Sequence, residues 1–488
     1  MTLSRREAFN REWQAADFIY DQEIKDLLQQ GKQATTAQVR MIIAKARAAK
    51  GLTPLEVAVL LENEDAELTG LMYEVAAEIK QRIYGKRIVL FAPLYLSDHC
   101  INSCVYCGYK RDNKFIRQKL TMEQIKGEVK VLEGMGHKRL ALEAGEHPEE
   151  CPIEYVVDCL KTIYDIKFAN GSIRRCNVNI AATTVEEYRL LKDAGIGTYI
   201  LFQETYHWET YQKMHPAGPK ADYDWHTTAH DRAMTAGIDD VGFGVLFGLY
   251  DYKFEVLGLM MHALHLEQRF GVGPHTISVP RLRPARGVDY ETFPYLVSDE
   301  EFMRLVAIIR LAVPYTGMIA STRERPELRD RLLSIGISQI SAGSCTGVGG
   351  YIKEAEKQDK TTTDHPAVTN QEKSPQFEVE DHRSPDEVLY SVCNSGWLPS
   401  YCTACYRQGR TGDRFMALAK SGEIQNVCQP NAILTFKEYL LDYASPETQK
   451  VGEETILKHL QEIKSEKIRN YTEEALKRLE LGERDIYL

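Results

Sequence analysis

The chain has 488 residues, of which 43% are hydrophobic, and its formal net charge is −10. This length can bury one large core with smaller additions at both ends. The acidic balance and the dispersed basic residues argue against a nucleic-acid partner. The start of the chain lacks a signal-peptide core, and no run of about 18 apolar residues occurs, so we expect a cytoplasmic protein with no membrane partner.

Residues 1–85 are predicted to form a helical N-terminal extension. Ile24, Leu27 and Leu28 recur at helical spacing, and Thr53-Pro54 is typical of a helix start, with a capping residue followed by proline. We expect this extension to cover the next domain without contributing chemistry.

Residues 86–350 alternate short apolar runs with helical patterns, which is typical of βα units in a parallel sheet. Eight such units predict a (β/α)8 barrel of the TIM type, with the active site at the C-terminal ends of its strands. The predicted strands are Ile88–Tyr95, Arg139–Glu143, Asn177–Ala181, Thr198–Gln203, Val241–Phe247, Thr276–Pro280, Met318–Ser321 and Gln339–Ser341.

Residues 351–376 are rich in Lys, Thr, Asp, Gln and Pro and are predicted to form a polar linker or loop. Residues 377–488 follow as a mainly helical C-terminal domain. Its predicted helices are Asp386–Ser395, Phe436–Tyr443, Glu453–Lys464 and Thr472–Leu481.

Three cysteines, Cys100, Cys104 and Cys107, follow the first predicted strand with the spacing C-x3-C-x2-C. Three thiolates so close together can bind three irons of a 4Fe-4S cluster, and the absence of a nearby fourth ligand leaves one iron open. A zinc knot or cysteines packed as small apolar residues is the alternative, but zinc motifs usually present paired C-x2-C units.

This spacing, with the aromatic Tyr106 before the third cysteine, resembles the signature of the radical S-adenosylmethionine (SAM) superfamily. The resemblance implies that the open iron binds SAM and that reduction of the cluster yields a 5′-deoxyadenosyl radical. After the second strand, Gly145 and Glu146 resemble a Gly-Gly-Glu motif that contacts SAM, although Ala144 replaces the first glycine. Glu204, at the end of the fourth strand, is a further candidate for SAM binding, as is Tyr106.

The segment Gln203–Tyr206, followed by the segment His215–Lys220, resembles the sequences of the tyrosine-cleaving branch of this superfamily. After the seventh strand, Arg323 offers a planar, bidentate fork for a carboxylate, and hydroxyl groups stand beside it. The alternative is a structural salt bridge within the barrel. The resemblance implies that Ser321 and Arg323 contact the carboxylate of L-tyrosine.

A second cysteine group consists of Cys402, Cys405 and Cys428, and the segment between the last two contains no histidine that would complete a zinc site. A barrel with this additional group resembles the HydG family of FeFe-hydrogenase maturases. The resemblance implies an auxiliary 4Fe-4S cluster with an extra iron held partly by a histidine, which we assign to His265. His262 is interpreted as structural.

The resemblance predicts a lyase that cleaves the Cα–Cβ bond of L-tyrosine to p-cresol and dehydroglycine. The fragment would then become carbon monoxide and cyanide at the auxiliary cluster, for assembly of the hydrogenase H-cluster. A reductant such as ferredoxin or flavodoxin and other hydrogenase maturases are the expected partners.

Three alternatives remain open at this point. A thiazole-pathway tyrosine lyase, or 2-iminoacetate synthase, would share the barrel motifs and lack the C-terminal cysteines. A non-enzymatic iron–sulfur carrier or scaffold would not need the carboxylate clamp, and a zinc-stabilised hydrolase would contain no iron.

Overall fold

The structure, a computed structural model, describes residues 16–359 and 375–488. Four helices precede the first strand: α1 (Asp21–Gly31), α2 (Thr36–Ala46), α3 (Pro54–Glu62) and α4 (Ala66–Tyr84). Thr53 caps α3, because its side chain accepts a hydrogen bond from the Glu56 N–H while the Glu56 carboxylate accepts the Thr53 N–H. The helices predicted before the barrel are therefore present, and residues 1–15 of the predicted extension lie outside the described residues.

Eight parallel strands follow. They form a closed barrel, because the first strand pairs with both the second and the eighth. They are β1 (Arg87–Ser97), β2 (Arg139–Ala144), β3 (Arg175–Asn179), β4 (Tyr199–Glu204), β5 (Val241–Val245), β6 (Thr276–Ser278), β7 (Gly317–Ala320) and β8 (Gln339–Ser341). Each overlaps a predicted strand, so the (β/α)8 barrel is confirmed.

The helices of the barrel connect consecutive strands. They are α5 (Met122–Gly134), α6 (Ile153–Asp165), α7 (Val185–Asp193), α8 (Trp208–Met214), α9 (Tyr223–Thr227), α10 (Ala229–Thr235), α11 (Tyr252–Phe270), α12 (Asp299–Ala312) and α13 (Pro326–Ile335). Local signals fix several of their ends. Thr121 forms a capping box with Gln124 at the start of α5, and α11 ends at Gly271 in the left-handed conformation.

The chain from Tyr351 was predicted to be a loop, and this prediction is wrong for its first part, which is helix α14 (Gly350–Asp359). The carboxylate of Glu128 accepts the N–H groups of Tyr351 and Ile352 at 3.2 and 3.0 Å, and the Tyr351 hydroxyl donates to the Pro93 carbonyl at 2.7 Å. A side chain from a distant part of the chain thus accepts the hydrogen bonds of the free N–H groups at the start of this helix, although the composition of the helix is polar. Residues 360–374 of the predicted linker lie outside the described residues.

The C-terminal domain contains α15 (Pro385–Asn394), β9 (Leu398–Ser400), α16 (Ala404–Arg407), α17 (Gly412–Ser421), α18 (Ile424–Asp442), α19 (Pro446–Gln461) and α20 (Glu466–Glu480). The short strand β9 was not predicted. It pairs in parallel with Arg87–Val89, the first residues of β1. This pairing places the C-terminal domain at the N-terminal end of the barrel, opposite the end where the loops after the strands meet.

One hydrophobic cluster joins the N-terminal helices, the barrel and the C-terminal helices, with Leu60, Phe243 and Phe436 among its fully buried members. Within the two described ranges, none of the helices combines the length and apolar character needed to cross a membrane.

Candidate active site and second cysteine centre

A cavity of about 210 Å³ opens at the C-terminal ends of the barrel strands. It is lined by residues of the loop after β1, of the ends of β2, β4 and β7, and of the segment that begins at residue 375. All the site residues predicted in the N-terminal half and after β7 lie on its wall: Cys100, Cys104, Tyr106, Cys107, Gly145, Glu146, Glu204, Ser321 and Arg323.

The cysteine loop presents sulfur atoms that receive hydrogen bonds from neighbouring N–H groups. The Tyr109 N–H donates to Cys107 Sγ at 3.4 Å, and the Asn102 side-chain amide donates to Cys100 Sγ at 3.8 Å. Burial raises the pKa of Cys107 to about 11 and the pKa of Cys104 further still. A metal that binds these sulfurs must therefore displace their protons. The N–H groups that point at the sulfurs would stabilise them as thiolate ligands of a cluster.

Gly145 lies directly against this loop. A Cβ atom on Gly145 would stand 2.4 Å from the His99 carbonyl oxygen, so no larger residue fits there. The next residue, Glu146, accepts the Ile101 N–H through its carbonyl at 2.9 Å and the Asn102 amide through Oε2 at 2.7 Å. The glycine and glutamate thus hold the cysteine loop against the end of β2, and their place in the cavity suits contacts to a ligand on the open iron.

Glu204 adopts a positive φ of 69° at a β-bulge between β4 and β5. Such a conformation is unfavourable for glutamate and persists only where the surroundings impose it. Its Oε1 lies 2.8 Å from the Lys220 Nζ. Burial alone would lower the pKa of Lys220, but the Glu204 carboxylate and the Cys104 thiol outweigh it, and the pKa is raised. The bulge therefore presents a fixed ion pair to the cavity. Lys220 lies in the segment His215–Lys220, but nothing in the sequence indicates its pairing with Glu204.

Tyr106 is oriented by a buried histidine. His215 Nδ1 lies 2.8 Å from the Tyr211 carbonyl and must donate to it, so its Nε2 accepts the Tyr106 hydroxyl, also at 2.8 Å. Burial lowers the pKa of His215 well below its usual value, which keeps the ring neutral and this donor pattern intact. The aromatic ring beside the third cysteine therefore has one orientation.

Arg323 follows β7 and lines the same cavity, where its side chain is half-buried. Its guanidinium lies 3.3 Å from the ring centre of Phe377, and burial lowers its pKa. Ser321 Oγ accepts the Arg323 N–H at 3.4 Å. Burial also raises the pKa of Glu143 to about 8, although Arg323 and a hydrogen bond from Asn179 oppose this. The cavity thus carries both a cation and a carboxyl group, which could bind the two charged groups of an α-amino acid.

The segment after residue 374 contributes to the site in a way that composition did not reveal. Gln376 Oε1 accepts the Tyr95 hydroxyl at 2.8 Å, and the Gln376 carbonyl accepts the Gly108 N–H at 3.0 Å. Gln376 had been assigned to the polar linker. No pattern in the sequence marks it, because its role depends on the return of the chain to the cysteine loop.

The second cysteine group lies at the N-terminal end of the barrel, around a cavity of about 50 Å³. Cys402 follows β9, Cys405 lies on α16 and Cys428 lies on α18. The same cavity is lined by residues that begin the barrel strands or directly precede them: Arg87, Arg139, His275, Gly317 and Gln339. The predicted trio is therefore brought together, at the end of the barrel opposite the first cavity.

Arginines supply positive charge to these thiols. Arg139 Nη1 donates to the Cys402 carbonyl at 3.4 Å, and the buried Arg87 Nε finds no hydrogen-bond partner among the described residues. A hydrogen bond from Cys405 and the guanidinium of Arg87 lower the pKa of Cys428 to about 7 despite its burial. The three cysteines therefore fit an anionic, thiolate-bound group.

The assignment of the extra-iron ligand to His265 is wrong. His265 Nε2 lies 2.7 Å from Asp231 Oδ1, and its ring stacks on Phe18 with 3.8 Å between ring centres, away from the second cavity. The histidine that lines this cavity is His275, whose buried Nδ1 has no hydrogen-bond partner in the described part of the chain and whose Nε2 lies 3.8 Å from Asp240. Its place directly before β6 puts it at the N-terminal end of a strand, but the sequence alone does not show that the second cysteine group lies at that end of the barrel.

Within residues 16–359 and 375–488, no three histidine, cysteine or carboxylate side chains converge closely enough to hold one metal ion. Cluster ligands differ from this arrangement because each thiolate binds its own iron. The two centres lie at the two ends of β1, which has 11 residues. They are therefore about 33 Å apart along the strand and, with the usual strand tilt, about 27 Å apart along the barrel axis.

Comparisons with known proteins agree with this geometry. Residues 94–261 match the model of the radical SAM superfamily, and residues 278–398 match that of the biotin and thiamin synthesis associated domain. The 2-iminoacetate synthase of Escherichia coli strain K12 is 30% identical over 359 residues, which are 73% of this chain and 89% of that protein.

Two solved structures cover nearly the whole chain. A HydG structure, a maturase of the [FeFe]-hydrogenase, is 60% identical, with a TM-score of 0.92, and the match covers 97% of this chain and 100% of that one. HydG from Carboxydothermus hydrogenoformans is 39% identical, with a TM-score of 0.78 and coverage of 94% and 99%. The chain therefore belongs to the radical SAM superfamily and, within it, to the HydG family of [FeFe]-hydrogenase maturases.

Proposed function

We propose that the protein is a radical SAM lyase that cleaves L-tyrosine to p-cresol and dehydroglycine and converts the fragment to carbon monoxide and cyanide for the hydrogenase H-cluster. The observation that supports this most strongly is the presence of two three-cysteine centres at opposite ends of one barrel, the first of which shares a cavity with the half-buried Arg323. A lyase that stops at dehydroglycine needs only the first centre.

Cys100, Cys104 and Cys107 would hold the SAM-binding 4Fe-4S cluster, and Gly145, Glu146, Glu204 and Tyr106 would contact SAM. When bound, this pair supplies a 5′-deoxyadenosyl radical, after one electron arrives from a reductant such as ferredoxin or flavodoxin. The ion pair of Glu204 and Lys220 offers both an acceptor for ribose hydroxyls and a cation for a carboxylate.

The part of the cavity around Arg323 would hold L-tyrosine. Arg323 and Ser321 would bind its carboxylate, and Glu143 would face its amino group. The abstraction of hydrogen from nitrogen is easier once the ammonium group has lost a proton, so a nearby base is useful. Burial raises the pKa of Glu143 to about 8, closer to that of an amino group, so the side chain is suited to exchange a proton with that group.

Cys402, Cys405 and Cys428 would hold an auxiliary 4Fe-4S cluster, and His275 rather than His265 would hold the extra iron. When bound, this iron would capture carbon monoxide and cyanide, which are toxic if released. The partnerless Nδ1 of His275 is the feature that fits this role. Other hydrogenase maturases would then receive the product.

The fragment would travel through the barrel. TIM barrels usually fill their interior with bulky branched residues, but this barrel has small or polar residues at several positions on the walls of the two cavities. Ala141, Ser278 and Ser341 line the first cavity and Gly317 lines the second. An enclosed route along the barrel axis would keep the diatomic products from escaping.

The test compares Cys402→Ala with Cys393→Ala in anaerobically reconstituted protein supplied with labelled tyrosine. Cys393 is a buried cysteine on α15 outside both cavities and serves as the matched control. We expect the Cys402 variant to lose iron and metal-bound carbon monoxide while it continues to form p-cresol, and the Cys393 variant to behave as wild type. Undiminished carbonyl formation in the Cys402 variant would remove the second centre from the reaction.

The alternatives predict different outcomes of the same experiment. A 2-iminoacetate synthase would form p-cresol without any metal-bound carbonyl in the wild type, and an iron–sulfur scaffold would form neither. The matches to the two family models end at residue 398, before Cys402, so these models describe only the part of the chain that both lyase types would share.

A further inference from the structure

The loop that follows the third cysteine is strongly basic, although the chain as a whole is acidic. Residues 110–119, which we call the basic loop, contain five lysines and arginines and one acidic residue, Asp112, whereas the net charge of the chain is −10. Arg111, Lys114 and Ile116 are exposed, and 59% of the Ile116 surface is accessible. The basic loop is therefore a local reversal of the charge of the molecule.

Among residues 16–359 and 375–488, few carboxylates pair with the positive charge of this loop. Arg117 donates to the carbonyls of Asp98, Tyr109 and Lys110 at 2.6 to 2.7 Å, so its guanidinium braces the loop through backbone oxygens. Arg111 Nε lies 3.8 Å from the Asp112 carboxylate, which is a weak exposed contact. Because ionic strength limits exposed charges to a range of about 10 Å, an approaching partner meets this positive region rather than the mean charge of the chain.

The basic loop is also attached to the first cysteine centre. The Lys110 N–H donates to the Cys107 carbonyl at 3.2 Å, and the Lys110 ammonium donates to the Gly287 carbonyl. Three residues of chain span at most about 11 Å, so a partner seated on Lys110 lies close to the sulfur of Cys107. The charged surface is therefore placed where an electron could enter the cluster held by Cys107.

We propose that the basic loop is the docking surface for an acidic one-electron donor protein. The exposed Ile116 would form the apolar centre of the contact, and Arg111 and Lys114 would form its charged rim. The reduced donor would lose one electron, and the cluster held by Cys100, Cys104 and Cys107 would gain it. The acidic remainder of the chain repels an acidic partner elsewhere, so this surface determines orientation as well as encounter rate.

The inference rests on the proposed function, because only a redox cluster on the three cysteines requires a donor at this place. The test uses the reconstituted holoenzyme with Arg111→Glu and Lys114→Glu combined. The control carries the same change of charge at Lys464 and Lys467, two exposed lysines of the C-terminal domain at the other end of the barrel. The probe is an acidic flavodoxin, and its binding is measured by calorimetry at low ionic strength.

We expect wild type and control to bind the flavodoxin and the basic-loop variant to bind about tenfold more weakly, with a flatter dependence on salt. Reduction of the cluster, followed by electron paramagnetic resonance, should slow with reduced flavodoxin and remain unchanged with dithionite. Equal binding by the variant and the control, or tighter binding to an RNA of similar charge than to the flavodoxin, would overturn the proposal. If dithionite-reduced wild type failed to cleave SAM, the proposed function would fail, while the binding comparison would still decide the docking surface.

Discussion

Replacement of Arg323 by lysine tests the tyrosine clamp most directly, because it keeps the charge and removes the fork. The half-buried guanidinium lies over the Phe377 ring and donates through Nη1 to the Arg281 carbonyl at 3.5 Å. It can therefore present two parallel N–H groups to a carboxylate. A lysine ammonium at the same place is a point charge that can align one such bond.

The expected magnitude follows from the lost bond. A hydrogen bond to a charged group contributes about 1.5 to 3 kcal/mol net, so replacing two aligned bonds by one should cost about 2 kcal/mol. This corresponds to a roughly 30-fold increase in the Kd for L-tyrosine. We expect Arg323→Ala to lose more, because it also leaves the substrate carboxylate without a buried cation.

The assay is calorimetric titration of L-tyrosine into SAM-loaded anaerobic protein, together with p-cresol release. Arg325→Lys is the matched control, since Arg325 lies on the same loop, is more than half exposed and pairs with Asp299 outside the cavity. Its Kd for tyrosine should equal that of wild type. An Arg323→Lys protein that is folded and binds tyrosine as tightly as the control would refute the assignment of Arg323.

Three further outcomes are expected. His275→Ala should lose the extra iron, measured by metal analysis, and keep p-cresol formation, while His265→Ala should keep the iron. Burial raises the pKa of Glu255 from 4.5 to about 8, so the folded protein binds its proton more tightly than the unfolded chain and loses stability as pH rises between these values. In the Glu255→Gln variant, the free energy of unfolding should no longer fall over this pH range, a fall of at most about 5 kcal/mol in wild type. Thermal unfolding measured up to and above pH 8 checks this, and a variant with the same pH profile as wild type would contradict it. Ala141→Leu should narrow the barrel interior and lower cyanide capture more than p-cresol formation, in product analysis by chromatography.

Many elements of the fold can be predicted from short stretches of the sequence. The strands of the barrel are short apolar runs with turn signals around them, and helix starts such as Thr53 and Thr121 carry their own capping partners three residues later. The spacing of Cys100, Cys104 and Cys107 likewise predicts one cluster-binding group, because all three thiols lie on one short loop. These features depend on neighbours along the chain, and the sequence alone was sufficient for them.

The relation between the two centres depended on tertiary structure. Nothing in the run Leu398–Ser400 shows that it pairs with the start of β1, yet this pairing sends Cys402, Cys405 and Cys428 to the end of the barrel opposite Cys107. Composition assigned Gln376 to a linker, although it lies on the wall of the first cavity.

The choice between His265 and His275 was of the same kind. Both are single histidines in apolar surroundings, and only the packing shows that the former meets Asp231 while the latter faces the second cysteine group. Local periodicity and spacing determine which residues form each element and each cysteine group. Which groups meet across the barrel is decided by contacts between residues far apart in sequence, and these have no local signature.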